Sequence, residues 1–188
     1  MSLRKAMSEK LDVLIVSDTH GRVDMLDRLI RYRQKLLKRG EVMNVIFLGD
    51  GLSDIFSCPQ YDNIIVHAVR GNCDFSVPFG PFGEEIPTES VIDLCGYKIF
   101  IAHGHTLSVK STLCRLYSRA AEENADIALF GHTHSPLEEY ITSERVSGLK
   151  KPLAVFNPGS LGRGSSFGNL SLSRGAFLLS HGNLDNIK

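Results

Sequence analysis

The chain has 188 residues, 43% of them hydrophobic, which suffices for the core of one α/β domain but not comfortably for two. Lys plus Arg equals Asp plus Glu at 21 each, so no overall basic field is available to attract nucleic acid. No apolar run approaches the ~18 residues of a membrane span, and residues 1–10 lack the apolar segment of a signal peptide. We expect a flexible leader over residues 1–10, a single domain over 11–188 and no membrane association.

The four cysteines predict reduced thiols rather than a disulfide framework. They contain no C-x-x-C pair and are widely spaced for a chain of this size. Such usage favours a cytoplasmic protein. The cysteines are Cys58, Cys73, Cys95 and Cys114.

Five short apolar runs predict buried strands, because each is only a few residues long and ends near glycine and a polar side chain. In open α/β sheets, ligands collect beyond the carboxyl ends of the strands. Polar side chains after these five runs could therefore assemble one site. The predicted strands are residues 11–16, 45–48, 64–69, 99–102 and 127–130.

Helices are predicted at two places. Residues 22–39 show apolar side chains at helical spacing with Gly40 just beyond, which indicates an amphipathic helix and its end. Together with the strands on either side, this helix predicts a βαβ unit and therefore a parallel part of the sheet. A second helix is expected at about residues 108–124, and residues 75–87 and 143–152 are expected to be surface connections.

The second half of the chain predicts strands of a different arrangement. Residues 91–94 and 98–102 flank a turn and predict a hairpin. Further strands are expected at residues 137–142, 153–156 and 176–179, without helices between them. The predicted fold class is α/β, with two mixed β-sheets packed face to face and flanked by helices.

Histidines are concentrated where the predicted strands end. Five of the seven histidines lie in these segments, together with Asp18, Asp50 and Asn72. A single histidine there is more often an ordinary loop residue than a ligand, but the whole set favours a metal centre. The five histidines are His20, His103, His105, His132 and His134.

The candidate ligands also restrict the metal. Carboxylate, amide oxygen and imidazole without thiolate suit Mn²⁺, Fe or Zn²⁺. Seven side chains are too many for one ion, whereas two ions about 3.5–4 Å apart with a bridging carboxylate would use them all. We expect two divalent ions, with Mn²⁺ favoured over Fe, Zn²⁺, Ni²⁺ or Mg²⁺. The candidate ligands are Asp18, His20, Asp50, Asn72, His103, His132 and His134.

Taken in order, these segments resemble the signature of the calcineurin-like metallophosphoesterase superfamily. The resemblance spans residues 12–134 and implies a four-layer metallophosphoesterase sandwich. The chain also resembles the branch of small bacterial and archaeal phosphodiesterases typified by YfcE, in its length and in Asn157-Pro158-Gly159-Ser160. The signature segments are Asp18-Thr19-His20, Gly49-Asp50, Gly71-Asn72-Cys73-Asp74, His103-Gly104-His105 and Gly131-His132-Thr133-His134.

The resemblance implies a binuclear metal-dependent phosphodiesterase that acts on a small phosphate ester. Asp50 would bridge the two ions, and a hydroxide between the ions would attack phosphorus in line. One ion would be held by Asp18, His20 and His134, and the other by Asn72, His103 and His132.

Cys73 departs from many superfamily members, which carry a histidine after the Gly-Asn pair; the YfcE-like branch shares the cysteine. A thiol is a poorer acid for an alkoxide than an imidazolium is. This difference favours substrates with good leaving groups, or help from a metal or from His105. The alternative interpretation of Cys73 is a small buried packing residue.

Two further candidates have alternative interpretations. Arg70 could bind a phosphate oxygen or pair with Asp74. His105 could contact substrate or donate to a backbone carbonyl in support of the site. The candidate catalytic residues are thus Asp50, Asn72, His105, Cys73 and Arg70.

Two other functions remain open. One is a phosphomonoesterase, and the other is a non-catalytic protein-binding scaffold like the phosphoesterase-fold subunit of retromer. The intact set of Asp18, His20 and Asp50 favours an enzyme over a scaffold. The oligomeric state is also open, and a homo-oligomer is compatible with the sequence.

Overall fold

Ten strands and four α-helices occur in the part of the chain that a computed structural model describes, residues 10–59, 61–77 and 79–187. The strands are β1 (Lys10–Val16), β2 (Met43–Phe47), β3 (Ile64–Ala68), β4 (Glu89–Leu94), β5 (Tyr97–Ala102), β6 (Ile127–Phe130), β7 (Leu137–Ile141), β8 (Leu153–Asn157), β9 (Ser166–Ser173) and β10 (Ala176–Asn183). The α-helices are α1 (Val23–Lys35), α2 (Leu52–Phe56), α3 (Cys114–Glu122) and α4 (Leu161–Gly164), and single 3₁₀ turns cover Tyr61–Asn63 and Leu184–Asn186.

The strands form two five-stranded mixed sheets, in the orders β10-β9-β1-β2-β3 and β4-β5-β6-β8-β7. In the first sheet β1, β2 and β3 are parallel, β9 runs antiparallel beside β1, and the edge strand β10 runs antiparallel to β9. In the second sheet β5, β6 and β8 are parallel, with antiparallel strands at both edges. The predicted fold class is confirmed.

Alternating side chains of β1 show how the layers are built, because successive residues of a strand point to opposite faces. Val13 and Ile15 are buried between the two sheets, against residues of β5, β6 and β8. Leu14 and Val16 are buried on the outer face, against α1 and α2. Helix α3 covers the outer face of the second sheet. The order of layers is therefore helices, sheet, sheet and helix.

Both predicted helices are shorter than expected. Helix α1 ends at Lys35 instead of residue 39, because the amides of Leu36 and Leu37 bond to carbonyls three residues back and the chain then turns toward β2. Helix α3 begins at Cys114 instead of residue 108, because the preceding residues form turns and Ser108 has a φ of 57°.

Strand β9 was not predicted, although it lies between β1 and β10 in the first sheet. Its serine content and Gly168 obscured an alternating pattern in which Leu170 and Leu172 point into the core between the sheets. The expectation of no helix among the late strands was also wrong, because α4 separates β8 from β9.

The other connections follow the predictions where they can be compared. In the described parts of residues 75–87 and 143–152 there is no helix or strand beyond an isolated bridge between Phe79 and Glu85. No disulfide joins the four cysteines, all of which lie within the described residues. Lys10, the last residue of the predicted leader, is instead the first residue of β1 and pairs with Ser173, and the rest of the leader lies outside the described residues. Within the described ranges, no helix has the length and hydropathy to cross a membrane.

Contact between Gly168 and the Phe156 ring generates a stability prediction. A Cβ at residue 168 would lie 2.6 Å from Phe156 Cε1, so Gly168→Ala should lower the free energy of unfolding by about 1–3 kcal/mol. The control is Gly164→Ala, because a Cβ there meets nothing within 4 Å, and its effect should stay within about 0.5 kcal/mol. Urea unfolding measures both, and equal stabilities of the two variants would contradict the packing described.

Candidate metal centre

The carboxyl ends of parallel strands from both sheets meet in one crevice. Asp18 and Asp50 follow β1 and β2 of the first sheet, whereas His103 and His132 follow β5 and β6 of the second. The packing of the sheets brings Oδ2 of Asp50 to 3.4 Å from Nε2 of His103. The convergence of strand ends expected from the sequence is therefore present.

Five of the candidate ligands have left-handed backbone, which is rare for residues other than glycine. Such conformations cost free energy and persist only where surrounding contacts hold them, as happens most often at functional sites. The residues, with their φ angles, are Asp18 (56°), His20 (47°), Asp50 (56°), His132 (66°) and His134 (60°).

The first cluster consists of Asp18, His20 and His134, whose ligand atoms all lie within 4.8 Å of one another. Oδ1 of Asp18 is 3.1 Å from Nε2 of His134, and the two histidine Nε2 atoms are 3.2 Å apart. This Oδ1 atom is buried and receives no hydrogen bond from any described residue. A buried carboxylate oxygen without a donor, facing two imidazole nitrogens, fits a divalent cation.

The second cluster consists of Asp50, His103 and His132, again within 4.8 Å. Nε2 of His103 is 3.2 Å from Nδ1 of His132. Nδ1 of His103 lies 2.7 Å from the Leu48 carbonyl and donates to it, which directs Nε2 into the crevice. This donor set also fits a divalent ion.

Asp50 lies between the clusters. Its Oδ1 accepts the backbone N–H of Cys73 at 2.7 Å. Its Oδ2 is 3.4 Å from Nε2 of His103 and 3.9 Å from Nε2 of His20, so one carboxylate oxygen faces a histidine of each cluster. Two ions held here would have Asp50 between them.

Asn72 and Cys73 lie at the exposed rim of the same crevice. The Asn72 side-chain amide donates to Sγ of Cys73 at 3.3 Å, and the thiol is close to His20 and Asp50. Cys73 is exposed, so its interpretation as a buried packing residue is wrong. Partial desolvation, the hydrogen bond to Asp50 and the nearby carboxylates raise the pKa of the Cys73 thiol to about 11.

The pairing of Arg70 with Asp74 is also wrong. Both Asp74 oxygens are occupied, because they accept backbone N–H groups of Asp50, Gly51, Leu52 and Gly71 at 2.7–2.9 Å. The Arg70 guanidinium forms no ion pair with any residue in the described ranges. Asp74 thus holds the β2 and β3 loops together, and Arg70 is available to an anion.

His105 lies beside the second cluster, with its ring centroid 5.4 Å from that of His103. Its Nδ1 is buried and makes no hydrogen bond within the part of the chain that the structure describes. The carbonyl contact proposed as an alternative is therefore not formed by this atom.

A second layer of contacts supports the histidine loop after β6. The Asn157 side-chain amide donates to the Gly131 carbonyl at 2.9 Å and to Thr133 Oγ1 at 3.1 Å. The ring of His181 stacks on Phe156 at 4.3 Å and donates to the Asn157 carbonyl. The role of His181 could not be predicted from local sequence, because it depends on a contact between the two sheets.

The charges in the crevice determine its protonation. Burial alone would raise the pKa of Asp50 and lower that of His103, but their mutual hydrogen bond and charges reverse both effects, so the Asp50 pKa is lowered and the His103 pKa is raised. Burial, His103 and Lys110 lower the pKa of His132 to about 4. Burial, with His20, Arg163 and Lys110, also lowers the pKa of His134. Lys110, missed in the sequence, lies close enough to influence both histidines of this loop.

Comparison with known proteins agrees with this geometry. A model of the calcineurin-like phosphoesterase superfamily domain matches residues 11–182. The chain belongs to the calcineurin-like phosphoesterase superfamily. The resemblance seen in the signature segments is confirmed, and superfamily members use divalent metals.

Three relatives illustrate the membership. The probable metallophosphoesterase YsnB of Bacillus subtilis is 31% identical over 151 residues, which cover 80% of this chain and 75% of YsnB. The phosphodiesterase YfcE of Escherichia coli is 27% identical, covering 94% of this chain and 88% of its own, and its solved structure superposes with a TM-score of 0.57. Vacuolar protein sorting 29 of Cryptosporidium parvum, 18% identical over 92% of this chain and 97% of its own, superposes with a TM-score of 0.67. The structural likenesses show a shared fold.

The protonation pattern can be tested in protein kept free of metal by a chelator. Histidine ring resonances followed by NMR from pH 3.5 to 9 should show His132 titrating near pH 4, because burial and neighbouring positive charges disfavour its imidazolium. His103 should stay protonated to a higher pH than an ordinary histidine does, because Asp50 and Asp18 favour its imidazolium form and raise its pKa. Substitution of each histidine by Gln assigns the signals. Titration of His132 at an ordinary pH near 6.5 would contradict the geometry.

Proposed function

We propose that this chain is a binuclear metal-dependent phosphodiesterase, in which Asp50 bridges two divalent ions. The observation that carries the proposal is the position of Asp50 Oδ2, which faces a histidine of both clusters. The first ion would be held by Asp18, His20 and His134, and the second by Asn72, His103 and His132. When bound, such ions supply an activated water as nucleophile and stabilise negative charge on the phosphate oxygens.

The protein groups around the crevice are suited to this task. Histidines with lowered pKa values, as at residues 132 and 134, are neutral at pH 7 and can offer a lone pair to a metal without first losing a proton. Arg70, which has no ion-pair partner among the described side chains, would bind a non-bridging oxygen of the substrate. We assign it to substrate binding, with His105 as a second polar contact.

Cys73 supports a diester over a monoester as substrate. A phosphate monoester carries up to two negative charges, and a cationic imidazolium in this position would favour it. Cys73 places a thiol there, with a pKa raised to about 11, which neither pairs with the extra charge nor protonates an alkoxide well. Diesters with good leaving groups therefore fit the site best.

A scaffold function has less support. Vacuolar protein sorting 29 shares the fold, but at 18% identity the likeness concerns the fold alone. A scaffold has no need for a buried Asp18 oxygen without a hydrogen-bond donor next to two histidines. This arrangement is costly unless a cation is bound, and it favours an enzyme.

Hydrolysis of a matched pair of esters tests the proposal. Protein loaded with Mn²⁺ should hydrolyse bis(4-nitrophenyl) phosphate faster than 4-nitrophenyl phosphate, as measured by release of nitrophenolate. Asp50→Asn should lower kcat on the diester by at least about 100-fold, because loss of a direct ligand should exceed the 10–100-fold cost of losing an outer partner. Its circular dichroism spectrum should be unchanged.

The control is Asp93→Asn, an exposed carboxylate on β4, which should retain wild-type activity. Undiminished activity of Asp50→Asn with added Mn²⁺ would contradict the binuclear mechanism. Faster hydrolysis of the monoester would instead assign the chain to the phosphomonoesterases, and no hydrolysis of either ester would support a scaffold.

A further inference from the structure

Asp54 is a buried carboxylate outside the signature segments. It lies on α2 and is 4% exposed. Its Oδ2 accepts the Thr19 hydroxyl at 2.5 Å and the backbone N–H of Gly21 at 2.8 Å. These two donors belong to the residues before and after His20, so Asp54 holds the chain on both sides of that candidate ligand.

The segment that Asp54 contacts, from Thr19 to Arg22, is a tight turn with left-handed backbone. The Arg22 amide bonds to the Thr19 carbonyl at 3.0 Å, and the two residues inside the turn, His20 and Gly21, have φ values of 47° and 85°. The left-handed conformation is unfavourable for His20, which has a Cβ, but not for Gly21. The turn needs outside contacts to keep His20 in this conformation, and Asp54 supplies two of them.

Gly51, in the loop after β2, leaves room for the contact between Thr19 and Asp54. A Cβ on Gly51 would lie 1.8 Å from Thr19 Oγ1 and 2.9 Å from Asp54 Oδ2. The hydroxyl and the carboxylate therefore meet in space that only a glycine leaves open. Gly51 itself is anchored, because its amide donates to Asp74.

The other candidate ligands are held by other groups. The Asp18 backbone carbonyl accepts a hydrogen bond from the Ser160 hydroxyl at 2.8 Å. The side-chain Oδ2 of Asp18 accepts one from the His132 amide at 3.1 Å. The Asp50 amide donates to Asp74 at 2.7 Å. The His20 amide donates to the Asp50 carbonyl at 3.1 Å, so loss of the Asp54 contact should loosen the His20 turn without detaching it, and should leave Asp18 and Asp50 in place.

We propose that Asp54 is a positioning residue that, through the Thr19 hydroxyl and the Gly21 amide, directs His20 and so sets the affinity of the first cluster for its ion. The inference rests on the proposed two-ion site. It assigns separate supports to the two ions, with Asp54 serving the ion at Asp18, His20 and His134. A purely structural role would lower stability without selecting one ion.

Two substitutions of Thr19 separate the effect of losing the hydroxyl donor from the effect of losing side-chain volume. Thr19→Val keeps the shape and removes the donor, whereas Thr19→Ser removes a methyl group and keeps the donor. Asp54→Asn is a second, nearly isosteric change at the acceptor. Equilibrium dialysis against Mn²⁺ measures stoichiometry and affinity, EPR distinguishes coupled from isolated Mn²⁺, and thermal unfolding without metal measures stability.

Thr19→Val and Asp54→Asn should each lower the affinity for one of the two Mn²⁺ ions by about tenfold or more. This is the range found for the loss of outer partners of metal ligands. The other ion should keep its affinity and give the six-line spectrum of isolated Mn²⁺. Thr19→Ser should bind two ions as the wild type does, even though its missing methyl group lowers the unfolding temperature.

Double variants identify which ion is lost. Thr19→Val combined with His134→Ala should still hold one ion, because both changes affect the same cluster. Thr19→Val combined with His132→Ala should hold neither at the same Mn²⁺ concentration. The opposite pattern overturns the assignment of Asp54 to the first cluster.

Three other results also overturn the inference. They are wild-type affinities in Thr19→Val and Asp54→Asn, equal weakening of both ions, and a Thr19→Ser variant as defective as Thr19→Val. A wild-type protein that binds fewer than two ions overturns the proposed function as well. Two bound ions without ester hydrolysis would instead contradict the proposed function alone.

Discussion

Buried negative charge at the junction of the two sheets is the constraint on which the site depends. Asp18 is fully buried and Asp50 nearly so, and both lie in a crevice where water cannot fully solvate them. Isolated carboxylates in such surroundings are costly unless a cation or hydrogen-bond donors compensate them. Without metal, the protein compensates in part by raising the pKa of His103 beside Asp50. The Asp18 Oδ1 atom, which has no donor among the described residues, is left to a cation.

The fold meets this constraint by dividing the acidic residues between two tasks. Asp18 and Asp50 point oxygens into the crevice, whereas Asp54 and Asp74 use theirs to accept hydrogen bonds from the loops that carry the ligands. These hydrogen bonds stabilise the left-handed backbone at the strand ends, which would otherwise be unfavourable. On the side of the second sheet, Asn157 does the same for the histidine loop with neutral donors.

Those parts of the structure that depend on local pattern could be predicted from the sequence. Short apolar runs predicted the parallel strands, and the polar side chains that follow these runs predicted the candidate ligands in the crevice. Strand β9 escaped prediction because its alternation is carried by only a few large side chains among serines, and Gly168 interrupts it. The start of α3 escaped because nothing local shows that residues before Cys114 fold back over Gly104, where a Cβ would lie 2.7 Å from Val109.

Residues that support the site could not be found in this way, because their roles depend on distant partners. Asp54 is 35 residues from Thr19, and His181 reaches Asn157 from the other sheet. The spacing of Arg70 and Asp74 likewise did not show that they are unpaired, because four backbone amides occupy Asp74 and Arg70 has no ion-pair partner among the described residues.

The proposed mechanism depends on the position of Asp50 between two metal ions. Anomalous diffraction from crystals of the Mn²⁺-loaded protein, collected at the manganese absorption edge, tests it most directly. If Asp50 bridges two ions, the map should show two peaks about 3.5–4 Å apart on either side of the Asp50 carboxylate, one near His134 and the other near His132. A single peak, or peaks away from Asp50, would contradict it.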